Sequence, residues 1–249
     1  MATRSRGPVV VVGGTSAIGR AIAREAARAG EAVVLAGRDE EELERSAADL
    51  RSRYGVSARA VEVDVEDDVS VDRFLGEAVR ESAELRGLVL CQGFMAGQAE
   101  AADEWALAER MIRVNYGSVV RLCSALGPRV SRRGGFIGVV SSVAGDRGRM
   151  SNGIYGSTKA GVNAFLSGLR AELSKEGVGV TVVKPGFTDT AMTWGMGGMF
   201  LMASPERVGR DAWRGMVRGR WEVYTPWFWR WIMLVIRSIP RRVFDRLSI

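Results

Sequence analysis

The chain alternates. Short β-branched runs are separated by segments with apolar residues at helical spacing, and this order continues as far as residue 183. Residues 8–12 (Pro-Val-Val-Val-Val) end in Gly13-Gly14 and read as a buried strand. Further strands are predicted at 32–36, 57–63, 87–91, 135–140 and 178–183. Helices are predicted at 18–29, 39–54, 69–82 and 157–176, and residues 103–132 read as mostly helical with one break. Strands this apolar have no polar face to give to water, so both faces of their sheet must be covered. A helix between successive strands supplies the long crossover that parallel pairing needs. The expected architecture is therefore α/β, a doubly wound parallel sheet of about seven strands. No internal repeat or linker divides residues 1–249, so a single domain is expected.

Composition removes many chemistries. The chain has no histidine, which excludes Ser-His-Asp and Cys-His nucleophilic catalysis and every His-ligated metal site. Its two cysteines, Cys91 and Cys123, are too few for a disulfide framework or a four-cysteine zinc site, so no metal is expected. An acid or base must be Tyr, Lys, Asp or Glu. The net charge is +6, and all but three of the 35 basic residues are arginine. There is no block of five or six like charges and no nucleic-acid motif, so a nucleic-acid partner is not expected. The first seven residues lack the apolar stretch of a signal peptide, and a cytoplasmic protein is expected.

The first strand runs into a phosphate-binding type of turn, Val12-Gly13-Gly14-Thr15-Ser16-Ala17-Ile18-Gly19-Arg20. Glycines there let a backbone approach a pyrophosphate, and the following helix offers free N–H groups and positive potential. In a βαβ unit this is a Rossmann-type dinucleotide site. The tip of the second strand is Gly37-Arg38, where an acidic residue would hold the ribose 2′-hydroxyl of NAD. Arg38 could pair with a 2′-phosphate or stack on adenine, or simply be a solvated loop arginine with Asp39 capping the next helix. NADP(H) is favoured over NAD(H). Asp64, after the third strand, is placed to hydrogen-bond the adenine amino group, or is a turn residue.

A second constellation is Ser141-Ser142-Val-Ala-Gly-Asp-Arg-Gly-Arg-Met-Ser-Asn-Gly-Ile-Tyr155-Gly-Ser-Thr-Lys159. Tyr155 and Lys159 are i and i+4 at a helix start and share a face. Ser142 stands at the end of the fifth strand. Carbonyl reduction needs a proton for the alkoxide formed by hydride addition. Free tyrosine, with a pKa of ~10, exchanges it poorly near neutrality. A lysine ammonium nearby would lower that pKa, and Ser142 would hold the substrate oxygen.

With these motifs the chain resembles the short-chain dehydrogenases/reductases, from the first strand to Pro185-Gly186-Phe187-Thr188-Asp189-Thr190. The resemblance makes Tyr155 the acid/base and Ser142 the substrate-oxygen partner. It gives Lys159 two tasks, tuning Tyr155 and binding the nicotinamide ribose. Asn115, in Arg-Val-Asn-Tyr-Gly, matches the family's active-site asparagine, which holds a water in the proton relay. It implies that the cofactor is held by Gly13, Thr15, Ser16, Ala17, Ile18, Gly19, Arg38, Asp64, Val65, Gly93, Tyr155 and Lys159. Pro185, Gly186, Thr188 and Thr190 would complete the nicotinamide end. Departures are Val12 for the usual threonine, Ala17 for the second glycine, and Leu90-Cys91-Gln92-Gly93 where Asn-Asn-Ala-Gly is common. Such enzymes commonly pair through helices near 104–132 and 157–176, so a homodimer or homotetramer is expected. A cofactor-binding, non-catalytic scaffold is the contrary reading, and the complete catalytic set argues against it.

Two regions lie outside those motifs. Residues 190–203 hold Met192, Met196, Met199, Met202, Trp194 and Phe200, and read as a mobile apolar flap over a substrate or as a loop packed on the core. Residues 221–249 hold four of the seven tryptophans and five arginines against two acids, a net charge of +3. The ten residues from Trp227 to Ile236 carry one charge, too few for a bilayer span of ~20. An amphipathic segment at 226–249 is expected, facing either a membrane surface or the core or a partner subunit. The ending Trp-Ile-Met-Leu-Val-Ile-Arg-Ser-Ile-Pro-Arg-Arg-Val-Phe is similar to that of the actinobacterial decaprenylphosphoryl-2-keto-pentose reductases. That resemblance implies reduction of the 2-keto group of a lipid-linked keto-sugar, in cell-wall arabinose-donor synthesis. It also implies a flavin-dependent oxidase partner, and a lipid-linked substrate would account for an apolar flap and for peripheral membrane association through the tail. Members expected to use NADH pull against Arg38. The alternative is a soluble secondary-metabolite or sugar ketone reduced by the same residues.

Overall fold

The computed structural model describes residues 7–81, 84–194 and 201–247. In chain order its elements begin β1 (Val9–Val12), α1 (Ala17–Arg28), β2 (Val33–Gly37), α2 (Glu40–Tyr54), β3 (Ala58–Glu62), α3 (Asp68–Glu81) and β4 (Gly87–Leu90). There follow α4 (Gln98–Asp103), α5 (Trp105–Ile112), a π-helical turn (Arg113–Gly117), α6 (Ser118–Leu126), β5 (Phe136–Val140) and α7 (Gly153–Leu173). The chain then runs through β6 (Gly179–Pro185), α8 (Pro205–Val217), β7 (Glu222–Thr225), α9 (Trp229–Ser238) and α10 (Arg241–Phe244). The seven strands form one sheet in the order β3-β2-β1-β4-β5-β6-β7. Every pairing is parallel.

The valines of β1 show why the strand tolerates no polar residue. Val10 and Val12 pack on one face with Phe74 of α3, Leu122 of α6 and Leu166 of α7. Val9 and Val11 pack on the other with Ile22 of α1, Leu43 of α2 and Trp213 of α8. Each fully buried side chain of this size contributes about 1.5–3 kcal/mol. The reversal of strand order on either side of β1 leaves a crevice at the carboxyl ends of β1 and β4, where such sheets bind ligands.

The structure moves several predicted boundaries. The seventh strand, β7, is short and was not placed by the pattern. α7 begins at Gly153 rather than 157. Its N-terminal Ile154 N–H donates to Gln98 Oε1 of α4 at 2.9 Å, a cap supplied from a remote element that no local signal reveals. The 103–132 region starts earlier, at Gln98, and is broken at Glu104 as well as at the π-helical turn.

The tail folds back. Trp229 and Met233 of α9 are buried with Val143 and Tyr224, and Phe187 packs beside them. No helix among the described residues is long and apolar enough to cross a membrane.

Candidate active site

The turn after β1 is built to receive an anion. Gly13 has φ +78°, a region that L side chains rarely adopt, and a Cβ there would lie 2.7 Å from the backbone nitrogen of Gln92. Ser16 caps α1: its Oγ accepts from the Gly19 N–H at 3.0 Å and donates to the Gly13 carbonyl at 2.7 Å. No described residue accepts a hydrogen bond from the amides of Thr15, Ala17 or Ile18. Three unused donors at the positive end of a helix fit a pyrophosphate. The first turn of α1 holds no acidic residue to oppose one.

At the end of β2, Arg38 is largely exposed and lies 3.5 Å from Glu66. Glu66 is already gripped bidentately by Arg110, both bonds at 2.8 Å. The Arg38 contact is long and exposed, so it is weak and readily exchanged. Asp39 caps α2, accepting from the Glu42 N–H at 3.0 Å. One Asp64 carboxylate oxygen accepts from the Glu66 N–H at 2.9 Å and tightens the turn, with Val65 half-buried between them.

The turn after β5 is saturated instead. Ser142 Oγ accepts from the Ala144 N–H at 3.1 Å. Gly145 presses on the backbone of α7, where a Cβ would lie 2.7 Å from the Lys159 carbonyl carbon. This close approach brings Ser142 to the face that carries Tyr155, near enough to act on its hydroxyl. Lys159 is buried, its Nζ donating to the Val140 carbonyl at 3.2 Å and lying 5.7 Å from the Tyr155 ring centroid. A Cβ on Gly93 would sit 3.9 Å from Lys159 Nζ and 3.4 Å from Met192 Cε, so the flap segment reaches the same pocket. Met196, Met199 and Phe200 of that segment lie outside the described residues. Its root is closed by backbone bonds between Asp189 and Ala203 and between Ala203 and Phe187.

The surroundings of Tyr155 and Asn115 add to the expected roles. Burial is the largest influence on Tyr155 and pushes its hydroxyl up to about 12, with Ser142 acting in the opposite direction. Burial lowers Lys159 to about 8. The Asn115 side chain uses both its N–H donors within the protein. Its Oδ1 accepts from the Phe94 N–H at 2.8 Å, and its Nδ2 donates to the Phe94 carbonyl at 2.8 Å and to Thr158 Oγ1 at 3.2 Å. It braces the loop after β4 against α7 and has no side-chain donor left over for a water. It sits in the π-helical turn, a device common at functional sites.

Just after β6, Gly186 makes room for an aromatic ring: a Cβ there would occupy the space of the Trp229 indole. Pro185 is buried at the end of β6. The Thr188 and Thr190 carbonyls accept from Thr193 Oγ1 at 2.6 and 3.0 Å.

The sequence reading missed the support behind Ser142. Lys184 Nζ lies 2.6 Å from Asp146 and also pairs with Glu222, and Tyr224 donates to Asp146 at 2.7 Å. A lysine in the buried run Val-Thr-Val-Val-Lys-Pro was the available signal. Next to Asp146, Arg147 donates to the carbonyls of Ile236 (2.5 Å) and Ile239 (2.7 Å) at the end of α9. Its guanidinium lies 3.7 Å over the Phe244 ring. Arg149 differs from both: its Nε is buried without a hydrogen-bond partner, and burial lowers its pKa. Asn152 Oδ1 is likewise buried and unpartnered.

Comparison with known proteins decides the family. A model of the short chain dehydrogenase family matches residues 8–197. The chain belongs to the short-chain dehydrogenases. It is an oxidoreductase of that family. An uncharacterized oxidoreductase of Mycobacterium tuberculosis is 36% identical over 242 residues, 96% of each chain. Among solved structures, a short-chain dehydrogenase from Sphingobium yanoikuyae in complex with NADPH is 28% identical with a TM-score of 0.79, covering 94% of this chain and 97% of that one. An alcohol dehydrogenase from Thermococcus sibiricus, complexed with 5-hydroxy-NADP, is 26% identical with a TM-score of 0.73, covering 82% and 87%. The family match ends inside the flap, so α8, β7 and the tail lie beyond it.

Proposed function

We propose that the chain reduces a ketone to a secondary alcohol with NADPH, through Ser142, Tyr155 and Lys159. The observation that carries this is the convergence of half-buried Ser142 and Tyr155 with the buried Lys159, whose Nζ lies 5.7 Å from the Tyr155 ring centroid. The nicotinamide, when bound, supplies the hydride. Ser142 holds the carbonyl oxygen, and Tyr155 hands its phenolic proton to the alkoxide. A hydroxyl raised to about 12 stays protonated at neutrality, which suits a proton donor. The reverse, oxidative direction would need a phenolate. Lys159, at about 8, is still mostly charged at neutrality and stabilises the phenolate as it forms. The free amides of Thr15, Ala17 and Ile18 would hold the pyrophosphate, Arg38 would pair with the 2′-phosphate, and Asp64 would hydrogen-bond the adenine. The two NADP-type complexes among the structural relatives support this choice.

The substrate proposed is a keto-sugar on a polyprenyl phosphate, the 2-keto-pentose step of arabinose-donor synthesis, after a flavin-dependent oxidase. Arg149 supports an anionic substrate, because a phosphoryl oxygen supplies the acceptor that its buried Nε lacks. The apolar residues of the flap segment and the tail suit a lipid carrier at the cytoplasmic face of a membrane. The test is turnover of polyprenyl-phosphoryl 2-keto-ribose and of simple ketones with NADPH and with NADH. Oxidation of NADPH that depends on the keto-sugar is expected. Equal turnover of simple ketones would overturn the substrate, and NADH-only turnover would overturn the cofactor.

A further inference from the structure

The tail has one face too many for a packed helix. Trp229 and Met233 of α9 are buried at 3% and 1% exposure, and this face closes over Val143 and Tyr224. On the opposite side Trp231, Leu234 and Val235 are 58%, 53% and 65% exposed, and Trp227 just before the helix is 65% exposed. A surface helix of a globular protein turns mainly polar residues outward, and this one turns three large apolar side chains outward as well. Its charged residues are Arg230 and Arg237, one heptad apart along a single edge. Arg241, Arg242 and Arg246 follow, and Asp245 is the one acid from 227 to 247.

We propose that this outward face is a docking surface for an anionic bilayer. Tryptophan and leucine set among arginines match the interfacial region of a membrane, where rings sit at headgroup level and guanidinium groups meet lipid phosphates. A second copy of the chain is disfavoured as the occupant. A two-fold contact through this face would set arginines against arginines. Position adds to the case. Trp229 lies against Gly186 and, at 5.7 Å between ring centroids, against Phe187, the root of the flap segment. That segment exposes Trp194 at 84%, with Leu201 and Met202 also open. Docking through α9 therefore brings the pocket mouth to the lipid. Arg147 fixes the direction, because it ties the end of α9 to the turn that bears Ser142. The inference deepens the reading of a lipid-linked substrate but stands on its own residues.

Deleting the tail is a poor test, since deletion would expose Val143, Phe187 and Tyr224. The experiment uses the intact protein with vesicles of phosphatidylcholine, alone or mixed with phosphatidylglycerol. Co-sedimentation with the anionic vesicles is expected, weakened by salt. Trp231→Glu with Leu234→Glu should lower it at least about tenfold while NADPH binding is unchanged. Val69→Glu, at an exposed apolar residue of α3, should leave it unchanged. No sedimentation of the intact protein, or undiminished sedimentation of the double variant, would overturn the proposal. So would a dimer that the double variant dissociates, since that makes a second copy the occupant. Turnover of detergent-dispersed keto-sugar is measured separately. Vesicle binding without that turnover sinks the substrate reading alone, and turnover without vesicle binding sinks the docking surface alone.

Discussion

Two turns leave the carboxyl ends of neighbouring parts of the sheet and use the same backbone chemistry in opposite ways. The turn after β1 keeps the amides of Thr15, Ala17 and Ile18 free of internal acceptors. The turn after β5 is capped by its own Ser142, pressed onto α7 at Gly145, and backed by Lys184, Asp146 and Glu222. A turn that receives a charged ligand gains by leaving donors unused until the ligand arrives. A turn that aims one hydroxyl gains by being held from several sides. The first is completed by what binds, the second by the rest of the chain.

Substitutions can break this contrast, beginning with the chemistry itself. Tyr155→Phe should cut kcat by roughly 10²–10⁴-fold. The NADPH dissociation constant, read by fluorescence titration, should stay the same; retained turnover would remove Tyr155 as the proton donor. Lys184→Met leaves Asp146 and Glu222 buried without their cation. A loss of about 3–5 kcal/mol in urea unfolding is expected, with the residual kcat lowered and cofactor affinity spared. If cofactor affinity fell instead, the two turns would not be separable.

The third break is in the other turn. Gly13→Ala forces a side chain into a left-handed conformation against Gln92, costing about 1–2 kcal/mol. NADPH should bind about tenfold or more weakly while kcat at saturation is nearly kept. Acid–base balance comes next. Lys159 at about 8 loses its proton as pH rises through that value, whereas Tyr155 at about 12 does not. The kcat/KM for NADPH, which reports the free enzyme, should therefore fall above pH ~8. A profile flat to pH ~10 would place the Lys159 charge outside the mechanism. The smallest effect expected is at the edge of the cofactor site. Arg38→Ala should raise KM for NADPH several-fold, by about 1 kcal/mol, and leave NADH nearly unaffected. Equal changes would show that Arg38 does not read the phosphate.

The fold was legible because the alternation is local and repeated. Val9 to Val12 need both faces covered, and the sequence carries helices to cover them. The candidate site was legible where chemistry sits in short motifs, at Gly13 to Gly19 and at Tyr155 with Lys159. What escaped depends on partners distant in sequence. Gln98 caps α7 from 56 residues away, and Arg147 reaches Ile236 across 89. Burial, which spacing does not encode, is the largest influence on the Tyr155 hydroxyl and raises it. The tail was read as facing either core or membrane, whereas α9 has a buried face and an open one. Helical periodicity shows where apolar residues recur and not which of them find a partner.

The Arg147 contacts also bear on how the protein is made. The carbonyls that Arg147 engages belong to residues 236–239, 89 to 92 residues further along the chain. Domains assemble from the N-terminus during synthesis, so the nucleotide turn can form while the support behind Ser142 is still missing. The nascent chain thus acquires its cofactor cradle before its working hydroxyl is fixed. Competence for turnover waits on residues 236–239, and a chain released before them lacks that brace.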